Sequence, residues 1–171
     1  MKKAIYPGTF DPITNGHIDI LKKAAQIFDK VILAVAEHTG KKTTFTISER
    51  EELCKKATAN MERIEVKKFD GLSVNFAKKE NAATMIRGLR AVSDFEYELS
   101  LTLMNKKLSP NMETIFFVPE SEYLYLSSTM VRQIVTLGGD VRDLIPKCIE
   151  KAIINKYKKE INNEKTTKKT D

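Results

Sequence analysis

Short apolar segments rich in β-branched residues alternate with longer stretches whose apolar positions recur at helical spacing. Lys3–Tyr6, Val31–Ala36, Arg63–Lys68, Ala83–Arg87 and Thr114–Val118 read as five buried strands. Between the first two, Asn15–Phe28 aligns Ile18, Leu21, Ala25 and Phe28 on one helical face. Further helices are predicted over Ser48–Ala59, Leu72–Lys79, Ser93–Lys107, Ser128–Leu137 and Leu144–Lys158, with Ser48 and Glu51 at capping-box spacing. Strands separated by helices imply a parallel sheet covered on both faces, because the crossovers must be right-handed. The expected fold is therefore a doubly wound, Rossmann-like α/β domain, whose ligands bind beyond the carboxyl ends of the strands. The helix over 93–108 carries two apolar stripes, Phe95/Leu99/Leu103 and Tyr97/Leu101/Met104/Leu108. A neighbouring helix or another subunit has to cover the second.

Composition changes this picture little. The 171 residues suit one domain, placed at residues 1–158, with 159–171 as a basic polar tail. Cys54 and Cys148 are far apart and lack CxxC or CxxH neighbours, so they read as reduced thiols rather than a disulfide or zinc framework. No signal-length or membrane-length apolar run is found, which makes the expected location cytoplasmic and excludes a membrane partner. The net charge of +6 invites a nucleic-acid reading. Half of that excess, however, lies in residues 155–171, where six lysines face Glu160, Glu164 and Asp171. A frayed, solvated tail accounts for it, and no aromatic platform of the kind seen in RNA readers accompanies it.

The candidate chemistry starts after the first strand, at Tyr6-Pro7-Gly8-Thr9-Phe10-Asp11-Pro12-Ile13-Thr14-Asn15-Gly16-His17. Pro7 and Gly8 end the strand, Thr14 can cap the helix, and Gly16 lets a ligand approach the backbone. His17 falls in the first helical turn, where free N–H groups and the helix dipole attract anions. Such a histidine can also be a plain solvated cap; the flanking Gly8-Thr9-Phe10 and Asn15-Gly16 favour an anion site. The dinucleotide GxGxxG and the GxxxxGK[ST] phosphate loop are both absent, which disfavours a dehydrogenase or a phosphate-loop kinase. At the end of the fourth strand, Arg87 and Arg90 can present planar guanidinium groups to phosphates.

Gly8-Thr9-Phe10-Asp11-Pro12 with Thr14-Asn15-Gly16-His17 resembles the TxGH, or HxGH-type, signature of the nucleotidyltransferase superfamily. The run from Ile86 through Arg87-Gly88-Leu89-Arg90 to Asp94-Phe95-Glu96-Tyr97-Glu98 resembles phosphopantetheine adenylyltransferases in particular. Tyr123–Arg132 resembles the superfamily's ISSTxxR segment, with Leu126 in place of isoleucine. The similarity runs from Lys3 to about Lys156. It implies adenylyl transfer from ATP to 4′-phosphopantetheine, giving 3′-dephospho-coenzyme A and pyrophosphate. The implied catalytic groups are His17, as transition-state stabiliser, Lys41 and Arg90. ATP contacts are implied for Thr9, Phe10, His17, Gly88, Leu89, Arg90, Glu98, Tyr123, Leu124, Tyr125, Leu126, Ser127, Ser128 and Thr129. The phosphopantetheine side would be formed by Thr9, Lys41, Ser73 and Arg87. Mg²⁺ would accompany ATP, held mainly by phosphate oxygens and water. The resemblance further implies feedback binding of coenzyme A and a homo-oligomer, a hexamer. Competing readings are an acceptor such as nicotinamide mononucleotide or glycerol phosphate, a non-catalytic coenzyme A or nucleotide binder, and an RNA-binding protein.

Overall fold

A computed structural model describes residues 2–38, 40, 42–90 and 92–157, the side chains of Val92 and Ser93 excepted. The basic tail predicted over 159–171 lies outside the described residues. Five parallel strands, β1 (Lys3–Gly8), β2 (Lys30–Ala36), β3 (Ile64–Phe69), β4 (Thr84–Gly88) and β5 (Glu113–Phe117), form one sheet in the order β3-β2-β1-β4-β5. The helices between them are α1 (Asn15–Ile27), α2 (Ile47–Ala57), α3 (Ser73–Lys79) and α4 (Val92–Leu108). Beyond β5 come α5 (Ser128–Thr136), 3₁₀ turns at Ser121–Tyr123 and Lys147–Ile149, and a helix, α6, over 150–157. This is the doubly wound order, with its topological switch between β1 and β4.

The two faces of the sheet are unequal. Ala4, Tyr6, Val31, Leu33, Val35 and Ile86 point to one side, into a large core shared with α1, α2, α5 and α6. Ile5, Ile32 and Met85 point to the other and meet only Val74, Ala77, Ala82 and Met112, with Phe76 at the margin. Alternate residues of β1 thus feed different cores, as the two-residue period of a strand requires. At the β3 edge Glu65 pairs with Lys30 and Lys67, charges that discourage pairing with a further strand.

Two expectations need correction, and one open alternative narrows. The capping box of α2 is Thr46 with Glu49, not Ser48 with Glu51: Thr46 Oγ1 accepts from the Glu49 amide, and Glu49 Oε2 accepts from the Thr46 amide. The C-terminal helix does not start at Leu144, because Pro146 stands before the 3₁₀ turn and excludes the α conformation just ahead of it. Of the two coverings open for the second stripe of α4, no helix among the described residues supplies one: Phe95, Tyr97, Leu103, Met104 and Leu108 are all exposed in the single chain.

Candidate active site

At the switch point the sheet opens. β1 stays in register with β2 as far as Gly8, and β4 with β5 as far as Gly88, but β1 and β4 pair only at Ala4 and Ile5. Backbone groups at the carboxyl ends of β1 and β4 therefore face a crevice. Arg87 reaches across it, donating from Nη1 to the Pro7 carbonyl at 3.1 Å. Its Nε and Nη2 form a two-pronged pair with Glu98 of α4, at 2.5 and 2.7 Å. Tyr6 is the floor: it is 6% exposed, and a Cβ on Gly88 would lie 3.5 Å from its hydroxyl. Burial drives the Tyr6 phenol well above its ordinary value against the opposing field of Arg87 and Arg90, so it stays neutral.

His17 is fixed by the helix it begins. Thr14 caps α1, and His17 occupies the third position of a capping box that glutamate or glutamine normally fills. The Thr14 amide donates to His17 Nδ1 at 3.0 Å, so the neutral ring carries its proton on Nε2. Desolvation, and secondarily the Arg90 charge, lower its pKa to about 4. At neutral pH the group is an uncharged N–H donor. Phe10 supports it from below, ring centres 5.1 Å apart at a steep angle. Phe10 is 3% exposed with a left-handed φ of 49°, a backbone strain that packing against Tyr6 and His17 has to offset. Gly8 makes this possible, because a Cβ there would come within 2.8 Å of Phe10 Cζ.

The opposite wall is the segment before α5. Arg90 Nη1 donates to the Leu126 carbonyl at 3.3 Å, and its Nε pairs with Asp94 at 3.1 Å. Ser127 caps α5 by accepting from the Met130 amide. The Ser128 hydroxyl donates to the Pro12 carbonyl at 2.8 Å, tying this wall to the β1–α1 turn. The first two amides of α5, those of Ser128 and Thr129, have no intrahelical acceptor, and they meet anions where a helix begins.

The structure thus brings His17, Arg87, Arg90, Gly88, Glu98 and the 123–129 segment around one crevice. The placement of the remaining residues named from the sequence is mixed. Phe10 and Leu126 bury their side chains, leaving only backbone to face a ligand. The Leu89 amide is engaged by the Phe117 carbonyl. Arg87 and Glu98, read as contacts for different substrates, are each other's partners. Gly16 faces Tyr123, whose Cβ would lie 3.5 Å from a Cβ on the glycine, so it serves helix packing as well as ligand approach. Ser73 opens α3 at the end of the β3 connection, and Leu124 and Tyr125 are exposed. Lys41 lies outside the described residues.

Tyr6, Asp11 and Arg50 were not anticipated. The Asp11 carboxylate, 2% exposed, accepts from the amides of Thr44 and Phe45 at 2.9 Å each. Arg132 donates to the Asp11 carbonyl at 2.6 Å. Arg50 is 1% exposed and shares a helical face with Leu53 and Cys54, so a cation on an apolar stripe was the available signal. Among the described residues no group of three or more His, Cys, Asp or Glu side chains could hold a metal ion. The carboxylates nearest the crevice are engaged: Glu98 by Arg87, Asp94 by Arg90, and Asp11 by two amides. This cationic and N–H donor set is complementary to phosphate oxygens, the groups to which a hard divalent ion also binds.

A crevice at the switch point of this sheet, with a helix-start imidazole and two guanidinium groups, is of the kind that receives a nucleotide's phosphates, and the comparisons place the chain among nucleotidyltransferases. The cytidylyltransferase-like family model accordingly matches residues 5–134. A solved structure of a protein assigned as a nicotinate-nucleotide adenylyltransferase, from Vibrio parahaemolyticus, superposes with a TM-score of 0.66 over 91% of this chain and 96% of its own. At 16% identity that likeness establishes the fold alone. Sequence relatives narrow the class. The phosphopantetheine adenylyltransferase of Moorella thermoacetica is 49% identical over 157 residues, 92% of this chain and 98% of that protein. The enzyme of the same name from Thermodesulfovibrio yellowstonii is 49% identical over 159 residues, 92% and 99% of the two chains. The chain belongs to the phosphopantetheine adenylyltransferase family. Among the described residues no helix is long and apolar enough to cross a membrane.

Proposed function

We propose that the protein transfers the adenylyl group of ATP to 4′-phosphopantetheine, releasing pyrophosphate and forming 3′-dephospho-coenzyme A. The observation that carries this reading is the neutral His17, its Nδ1 held by Thr14 so that Nε2 carries the donor proton, close enough to Arg90 to feel its charge. A phosphate monoester has a second pKa near 6 and is mostly dianionic at pH 7, so it attacks without a general base. Its oxygen bonds to the α-phosphorus of ATP while the bond from that phosphorus to the bridging oxygen breaks, and pyrophosphate leaves in line. Negative charge grows on the α-phosphoryl oxygens, and His17 donates a hydrogen bond to it there. A partly buried imidazole already neutral at working pH gives that bond without losing a proton.

The other roles follow the charge distribution. Arg87 and Lys41 align the acceptor phosphate, with Glu98 holding the Arg87 fork in its plane while also bordering the ATP site. Arg90, the Gly88–Leu89 backbone and the helix start at Ser127–Thr129 hold the nucleotide phosphates. Tyr123–Leu126 borders the rest of ATP, and Thr9, with the Phe10 backbone, lies between the two reactants. Ser73 borders the pantetheine arm. Mg²⁺ supplies charge neutralisation of the ATP phosphates when bound. Coenzyme A, carrying the acceptor's own moiety, competes for the same crevice. The protein acts in the cytoplasm as a homo-oligomer, a hexamer, in which the exposed α4 stripes are covered by other copies. Incubation with ATP, Mg²⁺ and 4′-phosphopantetheine is expected to yield dephospho-coenzyme A by mass spectrometry, and His17→Ala to lower kcat by about 10²–10³-fold. Absence of product from the wild type rejects the reaction; an unchanged kcat in the variant removes His17 from it.

A further inference from the structure

Arg50 is a buried cation that forms no ion pair with any carboxylate among the described residues. Its guanidinium instead donates to three main-chain carbonyls: from Nη1 to Thr9 at 2.7 Å and Ala36 at 2.7 Å, and from Nε to Phe45 at 3.2 Å. Desolvation lowers its pKa, with the Asp11 charge opposing the shift. An apolar side chain would fill this place at lower desolvation cost, so only what those carbonyls do accounts for a buried charge.

The three carbonyls belong to separate segments. Thr9 is the first residue after β1, Ala36 is the last of β2, and Phe45 stands two residues before α2. One planar group thus joins the β1–α1 turn to both roots of the β2–α2 connection, the stretch of sequence that contains Lys41. Asp11 completes the attachment, since its carboxylate takes the amides of Thr44 and Phe45. The peptide at 44–45 is therefore gripped by its N–H groups from Asp11 and by the Phe45 carbonyl from Arg50. From the far side, the Thr44 hydroxyl lies 3.1 Å from that of Tyr157, and Lys156 pairs with Glu49 at 2.8 Å.

We infer that Arg50 is a positioning residue for the acceptor side of the site: it locks Thr9 and the roots of the β2–α2 connection into the geometry the acceptor phosphate needs. It touches neither reactant, and the inference rests on the proposed reaction for the roles of Thr9 and Lys41. Lysine keeps the charge but has no planar fork to serve three carbonyls at once. The full-length Arg50→Lys variant is expected to raise the acceptor KM about tenfold or more, since small misplacements of a positioning group cost that much. The KM for ATP should rise several-fold less than the acceptor KM, because Thr9 borders both reactants while the rest of the nucleotide wall lies on β4 and α5.

Amide hydrogen exchange gives a second readout. Thr44 and Phe45 should exchange faster in Arg50→Lys, with the β2 and β4 amides unchanged. Equal losses for both substrates, or unaltered KM values, overturn the inference, as does unchanged exchange at 44–45. If the lysine variant fails to fold, Asp11→Asn is measured in the same way and must give the same acceptor-selective KM and the same local exchange. A wild type that forms no dephospho-coenzyme A defeats the proposed reaction, and the exchange comparison then decides whether Arg50 holds the 44–45 peptide.

Discussion

Lowering the pH should destabilise this protein through His17, by an amount the structure sets. The folded environment depresses the His17 pKa from 6.5 to about 4. Between these values the unfolded chain takes up a proton that the native crevice refuses. The contribution is thus fully present above 6.5 and is lost as pH falls towards 4. The full shift corresponds to about 3 kcal/mol, and moving from pH 7 to pH 5 exposes about 2 kcal/mol of it. The reference is His17→Gln, because glutamine at the third position of a capping box accepts the Thr14 amide without titrating. His38, the other histidine, carries the opposite sign, since its hydrogen bond with Asp70 raises its pKa; it is present in both proteins and cancels. Urea unfolding at fixed protein concentration, followed by circular dichroism because the chain has no tryptophan, gives both stabilities. Wild type should lose about 2 kcal/mol relative to His17→Gln between pH 7 and pH 5. A difference that stays the same at the two pH values refutes the desolvated, neutral imidazole.

Three further outcomes follow. Gly8→Ala puts a methyl 2.8 Å from Phe10 Cζ, in a ring that has no room to yield, and should cost about 1–3 kcal/mol in thermal or urea unfolding; an unchanged melting temperature would show that the ring is free to move. Arg87→Ala leaves the half-buried Glu98 without its partner and should raise the acceptor KM strongly; an effect confined to ATP would exchange the roles of Arg87 and Arg90. Leu103→Glu places a charge in the exposed apolar stripe of α4 and should reduce the assembled mass in analytical ultracentrifugation; an unaltered sedimentation profile would move the interface elsewhere.

Order and type of the elements could be read from the chain alone, because strand and helix periods of apolar residues are local patterns: all five strands fall within two residues of their predicted limits. Motifs marked both ends of the candidate site, Thr14 with His17 and Arg87 with Arg90, since each pair sits on one short turn. Tertiary structure alone decided how the charges were spent. Arg87 meets Glu98 and Arg50 meets Thr9, Ala36 and Phe45 through packing between elements that no sequence spacing encodes. The uneven sheet likewise comes from three-dimensional layering: one face holds most of the core, so α4 keeps its apolar stripes outside. Periodicity reports which side of an element is apolar; only the assembled fold determines whether something covers it.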